Sequence, residues 1–184
     1  MKVSYVESLA SYGGPESCVH IRKGVGEAKF GRFPRENRRR TGQGKPQTFD
    51  FLGFTHCCGK TRKGKFMVLR LTSAKRLRGN LQALKLELKK RMYRPTAEQG
   101  QYLKAVVSGH VRYFGVPNNG ARLMTFRREV ARLWHRTLSR RSQSYVTWGR
   151  MYRLWNHWLP APKICHPYPS QCLIVITQGR SRMR

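Results

Sequence analysis

From Ser73 onward apolar side chains return every three or four positions. Leu77, Leu81, Leu84, Leu88 and Met92 share one face of a helical projection, with Lys75, Arg78, Lys85, Lys89 and Arg91 around much of the rest, so the segment is expected to form an amphipathic helix with a basic outer face. Pro95 stops it. The following "TAEQ", Thr96 to Gln99, has the form of a capping box and predicts the start of a second helix. That helix carries Tyr102, Leu103, Val106, Val107, His110 and Phe114 on a broad face until "GVPNNG" at 115–120 interrupts it. A third helix is expected from about Ala121, with Leu123, Phe126, Val130, Leu133 and Trp134 inward. A fourth, capped by Thr147 and ended by Pro160, would bury Trp148, Met151, Tyr152, Trp155 and Leu159.

Ahead of the helices the period is different. Thr48 to His56 reads as one extended segment, "CCGKTRKGK" as a turn, and "FMVLRL", Phe66 to Leu71, as a second strand, which together predict a β-hairpin. Residues 1–47 are rich in glycine, include the basic run Arg38 to Arg40, and have no sustained apolar period. They read as a loop or disordered arm. The expected fold is α+β, mainly α: an N-terminal β-hairpin followed by a small helical bundle, in one compact domain with ragged ends.

Charge changes the picture from fold to partner. The 184 residues hold 38 Lys and Arg against 8 Asp and Glu, a formal net charge of +30 with a pI near 11.3. Repulsion on this scale calls for an anionic partner, and nucleic acid fits best. Five cysteines, odd in number and irregularly spaced, argue against a disulfide framework and for a reducing cytoplasm. The run "CLIVI" at 172–176 is far too short to span a bilayer, so no membrane partner is expected.

Several chemistries are excluded by residue type or spacing. Asp50 is the only aspartate, and the seven glutamates are scattered, so a two-metal phosphoryl-transfer site, which needs convergent carboxylates, is not expected from this chain alone. "GKT" at 59–61 lacks the glycine a phosphate loop requires at position 54, where Phe54 stands. His56, Cys57 and Cys58 are contiguous, and Cys165, His166 and Cys172 are loosely spaced, unlike the paired ligands of zinc sites. No metal, cofactor or catalytic residue is expected. The positive signal is cationic: Lys60, Arg62, Lys63 and Lys65 at the turn; Lys75, Arg78, Lys85, Lys89 and Arg91 on the first helix; Arg127, Arg128, Arg132, Arg136, Arg140 and Arg141 on the third. Counterion release would drive such a surface onto a phosphate backbone. Trp134, Trp148 and Trp155, at helical spacing, read as core.

Beyond these patterns, "FGRF", "GQGKP" and "TFDFLGFTH", followed by "LKAVVSGHVRYFGVPNN" and "WGRMYRLWNHWLPAPKICHPYP", resemble the end of the palm, the thumb and the maturase-specific domain of group II intron reverse transcriptase/maturases. The resemblance covers about Lys29 to Arg184. It implies a disordered or extended arm at 1–28, a palm-end remnant with a primer-grip-like hairpin (Phe51, Leu52, Gly53, Phe54) at 29–72, a helical thumb/maturase domain at 73–164, and a basic tail at 165–184. The family's polymerase uses Mg2+ through a Tyr-x-Asp-Asp motif that this chain lacks. The expected function is therefore cytoplasmic binding of intron RNA or an RNA–DNA duplex, assisting RNA folding and splicing without reverse transcription by the chain itself. Two alternatives stand beside it: the thumb of a split RNA-directed DNA polymerase completed by a separately encoded palm, and a non-functional remnant of a mobile element.

Overall fold

The structure, a computed structural model, describes residues 18–23, 26–31, 40, 42, 48–61, 63–64, 66–141 and 145–167. The chain divides into two compact units, Met1–Leu69 and Arg70–Arg184.

In the first unit, strands β1 (Cys18–Lys23) and β2 (Gly26–Gly31) pair antiparallel, from Cys18 opposite Gly31 to Lys23 opposite Gly26. This corrects the loop or disordered reading for that stretch, and the expected boundary at residue 28 falls inside β2. The signal was present in Val19 and Ile21, β-branched residues alternating with His20 and Arg22. Residues 1–17 lie outside the described residues.

A second sheet has the order β3 (Phe49–Phe51), β4 (Phe54–Lys60), β5 (Phe66–Thr72), and the division between the units falls within β5. The segment expected to run extended from Thr48 to His56 instead doubles back at Leu52 and Gly53, whose φ angles are 48° and 81°. Two left-handed residues match the twist of the strands they join, as in a type I′ hairpin. Gly53 takes that conformation freely, whereas at Leu52 it costs on the order of 1–2 kcal/mol. Phe49 stacks on His56, its cross-strand partner, with ring centroids 4.5 Å apart, and Thr55 Oγ1 donates to Asp50 across the pair. The one turn expected here, "CCGKTRKGK", is the second in this sheet and shorter than predicted, because β4 continues through Cys57, Cys58 and Gly59.

The second unit is helical: α1 (Ala74–Lys90), α2 (Thr96–Phe114), α3 (Gly120–Arg141) and α4 (Trp148–Trp158). Ser73 caps α1 by accepting from the Arg76 N–H at 3.3 Å. α1 packs against α3, while α2 packs against both α3 and α4. Leu88, Leu103, Val107, Phe126, Val130, Trp134 and Met151 fill the core between them. Among the described residues, four helices preceded by two small antiparallel sheets make the fold α+β and mainly α.

The capping box does not form. Pro95 occupies the N-cap of α2 with no side-chain bond, and Gln99 turns inward. Its Nε2 donates to the carbonyls of Arg91, Met92 and Arg94 at 3.0–3.1 Å, and its Oε1 accepts from Trp134 Nε1 at 2.9 Å. One buried amide thus satisfies the open end of α1 and the buried indole of α3. The next residue, Gly100, lies where a Cβ would come within 2.4 Å of the Trp158 ring; this close approach brings α4 against α2. Thr147 stands at the N-cap of α4, also without a side-chain cap bond.

Asn119, expected only as a turn residue, is fully buried. It accepts from the Thr72 N–H at 2.9 Å and donates to Thr72 Oγ1 and Phe114 O, each at 2.8 Å, so both its N–H donors and its oxygen are engaged in joining the end of β5 to the α2–α3 connection. After α4 the chain returns to α2: the N–H groups of Cys165 and His166 both donate to Gly115 O. The expected tail at 165–184 therefore starts as a tethered segment, and from residue 168 it lies outside the described residues.

Candidate nucleic-acid interface

On α1, Leu77, Leu84 and Leu88 are buried and define the inner face. With about 100° of rotation per residue, Lys75, Arg78, Lys85 and Lys89 fall within an arc of about 80° on one flank. All four are exposed. They cover 14 steps of helix, about 21 Å at 1.5 Å per residue. The acidic residue of this helix, Glu87, lies on the other flank, 2.8 Å from Lys90 Nζ and 3.8 Å from Arg91 Nε, and its carboxyl is held below the usual value chiefly by Lys90.

The other carboxylates of the helical unit are engaged in the same way. Glu98 lies 4.0 Å from Arg94, and Glu129 lies 2.7 Å from Arg132 and 3.9 Å from Arg128. Among the described residues, no carboxylate pairs with Lys75, Arg78, Lys85 or Lys89.

Besides Arg128 and Arg132, four described arginines of the expected set hold intramolecular partners; Arg78 Nε donates to Ala74 O of its own helix at 3.3 Å. Arg91, at the C-cap of α1, lies over the Tyr102 ring at 4.3 Å. Arg127 is half-buried: its Nε and Nη2 donate to Leu159 O at 3.2 and 2.9 Å, and its guanidinium lies 5.0 Å from the Trp155 ring. Burial lowers its pKa, yet a guanidinium remains charged, so Arg127 serves to close the end of α4. Arg141 Nη1 donates to Arg94 O at 2.9 Å. Arg128, Arg132, Arg136 and Arg140 are exposed at every fourth position of α3, with Glu129 in the same arc.

In the first unit, Lys60 and Lys63 are exposed at the second turn, while Arg62 and Lys65 lie outside the described residues. The primer-grip-like residues form the tip of the first hairpin, with Phe51 49% and Leu52 66% exposed and Gly53 and Phe54 half-buried. Among the described residues, no group of three His, Cys, Asp or Glu could hold a metal ion, and no helix is long and apolar enough to cross a membrane.

Residue patterns alone did not point to a basic and aromatic cluster at the start of α4. Trp148, read as core, is half-exposed and stacks on His135 with centroids 4.3 Å apart and planes 9° from parallel. Tyr145 meets the same imidazole edge-on, and Arg150 and Arg153 are exposed nearby on α4. The spacing of "WGRMYRLW" was the available signal, but helical spacing does not tell which aromatics face inward. No family model, curated protein or solved structure matches this chain.

Proposed function

We propose that this chain is a cytoplasmic, non-enzymatic RNA-binding fragment of the group II intron maturase type, which assists the folding and splicing of intron RNA. The observation that carries this reading is the acid-free stripe Lys75, Arg78, Lys85 and Lys89, exposed along about 21 Å of α1, while Glu87, Glu98 and Glu129 are each engaged by other cations. Phosphates of an A-form or folded RNA would replace the counterions of that stripe, so shape rather than base sequence would dominate recognition. The maturase assignment rests on the sequence resemblance, and the lone Asp50 supports an absence of polymerase activity by the chain alone.

The test is the salt dependence of binding to a structured intron RNA. Changing Lys75, Arg78, Lys85 and Lys89 together to Gln keeps helix propensity and the leucine face. The slope of log affinity against log salt is expected to become shallower by about 3, since each phosphate left without its cation removes about 0.7–0.9. An unchanged slope would place the RNA elsewhere or nowhere.

The exposed apolar tip Phe51 and Leu52 favours a second reading, in which a separately encoded palm docks on the hairpin and completes a polymerase. Primer extension that appears only when such a palm is added, and disappears on Phe51→Ser with Leu52→Ser, would establish it. Extension by this chain alone would contradict both readings.

A further inference from the structure

Where α3 ends and α4 begins, a cavity of about 290 Å³ is lined, among the described residues, by Thr96, Arg141, Tyr145, Thr147 and Arg150, with Leu138 and Val146 at its apolar side. Arg141 is held in position by its bond to Arg94 O, which leaves most of its N–H donors free to bind. Arg150 reaches the cavity from α4 and is exposed. No carboxylate lines it among the described residues. Two guanidinium groups and three hydroxyl-bearing side chains around a cavity of this size suit a phosphate with part of its sugar, since guanidinium donors match phosphate oxygens in pairs.

An aromatic platform adjoins the cavity. Trp148 follows Thr147 in sequence, and one face of its indole lies on His135. His135 is itself held, its Nε2 donating to Val146 O at 2.6 Å. The indole is therefore fixed from one side, and Trp148 is 49% exposed with no second ring of the described residues stacked on it. Preorganisation of this kind reduces the ordering cost of binding.

We propose that this corner binds one unpaired nucleotide of RNA, its phosphate between Arg141 and Arg150 and its base stacked on the face of Trp148 turned away from His135. The inference rests on the RNA-binding reading above and adds a second kind of contact to it. The α1 stripe meets phosphates of any RNA, whereas a base reaches Trp148 only from a loop, bulge or end where it has left its own stack.

Anisotropy titrations of the full chain at fixed salt test it with four probes: a tetra-adenylate RNA with and without a 5′-phosphate, a blunt RNA duplex, and adenosine monophosphate. Trp148→Ala is expected to weaken the tetra-adenylate about 5- to 150-fold, the range for loss of one stacked base, and Trp148→Tyr to restore most of that loss. Arg141→Gln with Arg150→Gln is expected to weaken the same probe and remove its preference over the unphosphorylated oligomer. Duplex binding should stay at the wild-type level in all three variants and fall only in the α1 variant.

Wild-type affinity for the tetra-adenylate in both Trp148→Ala and the double arginine variant would overturn the proposal and leave the corner to a protein partner. Equal losses on duplex and single strand would overturn it as well, reducing the corner to part of a general cationic surface. Adenosine monophosphate bound as tightly as the oligomer would reassign the cavity to a free nucleotide. Duplex binding without single-strand binding by the wild type sinks this proposal alone, and binding of neither sinks the RNA reading with it.

Discussion

On α1, Lys75, Arg78, Lys85 and Lys89 face outward with no carboxylate among them, whereas on α3 Glu129 sits within the arginine arc and holds Arg132 at 2.7 Å. Arg127 and Arg141 of α3 are further engaged by backbone carbonyls. Two helices of similar composition thus present different surfaces to a polyanion. A phosphate arriving at α1 competes with no carboxylate among the described residues, although Arg78 Nε donates to Ala74 O of its own helix at 3.3 Å. One arriving at α3 competes with an intramolecular pair, an exposed one worth about 0–1 kcal/mol, and meets fewer unengaged charges. Charge availability, more than charge number, separates the two faces.

The largest test of this contrast replaces Arg128, Arg132, Arg136 and Arg140 with Gln and compares the result with the α1 variant. Four phosphate contacts at 0.1 M salt correspond to about a thousandfold in affinity, and that loss is expected for α1. The α3 variant should lose less, with its salt slope reduced by about 2 or less. Filter binding across several salt concentrations decides it, and an α3 effect equal to that of α1 would break the comparison.

Acid separates the inner side of α3 from its outer side. His110 of α2 stacks on Phe126 of α3 at 3.7 Å and meets Phe114 at a tilt of 35° with centroids 4.5 Å apart, and burial lowers its pKa from 6.5 to about 4. The unfolded chain therefore takes up this proton first. Stability from the neutral imidazole is complete above about pH 6.5, declines as pH falls towards 4, and changes no further below it. At 1.36 kcal/mol per pH unit the loss is about 3 kcal/mol between those limits. Denaturant titrations of wild type and His110→Phe at pH 7 and pH 4.5 should show the difference only in wild type.

Neighbouring arginines give a sharper and smaller test. Arg127→Gln removes two charge-assisted bonds to Leu159 O and should destabilise the fold by about 1.5–3 kcal/mol with little change in RNA affinity at temperatures where it stays folded. Arg128→Gln, one residue on and exposed, should change stability by less than about 0.5 kcal/mol. Thermal melts beside binding titrations read both quantities. The smallest effect is expected from Glu129→Gln, which releases Arg132 and Arg128 and should tighten RNA binding a few-fold, with a slope increase of about 1. Weaker binding in that variant would mean that Glu129 organises the arginines rather than competing for them.

The helices and the availability of α1 were legible because both depend on local periodicity. Leucines at 77, 84 and 88 require one inner face, and side chains on a helix then have fixed directions, so the position of Lys85 or Lys89 follows from its number. Arg127 and Arg128 show where that argument stops. Both belong to the same basic run, and only the arrival of the α4 end, 32 residues on, engages one and leaves the other exposed. The same holds for Gln99, whose four-residue pattern matched a local cap while its amide serves three carbonyls of the preceding turn and an indole 35 residues away.

The order of the four described helices, the basic outer face of α1 and the scarcity of carboxylates are properties of the chain itself, since they need only composition and the 3.6-residue period. The burial of Gln99 and Asn119, the exposure of Trp148, and the cavity between Arg141 and Arg150 were decided by tertiary structure. Each depends on which distant backbone groups and rings meet a side chain, and a buried polar group or an exposed ring is defined by those neighbours rather than by its own position in the sequence.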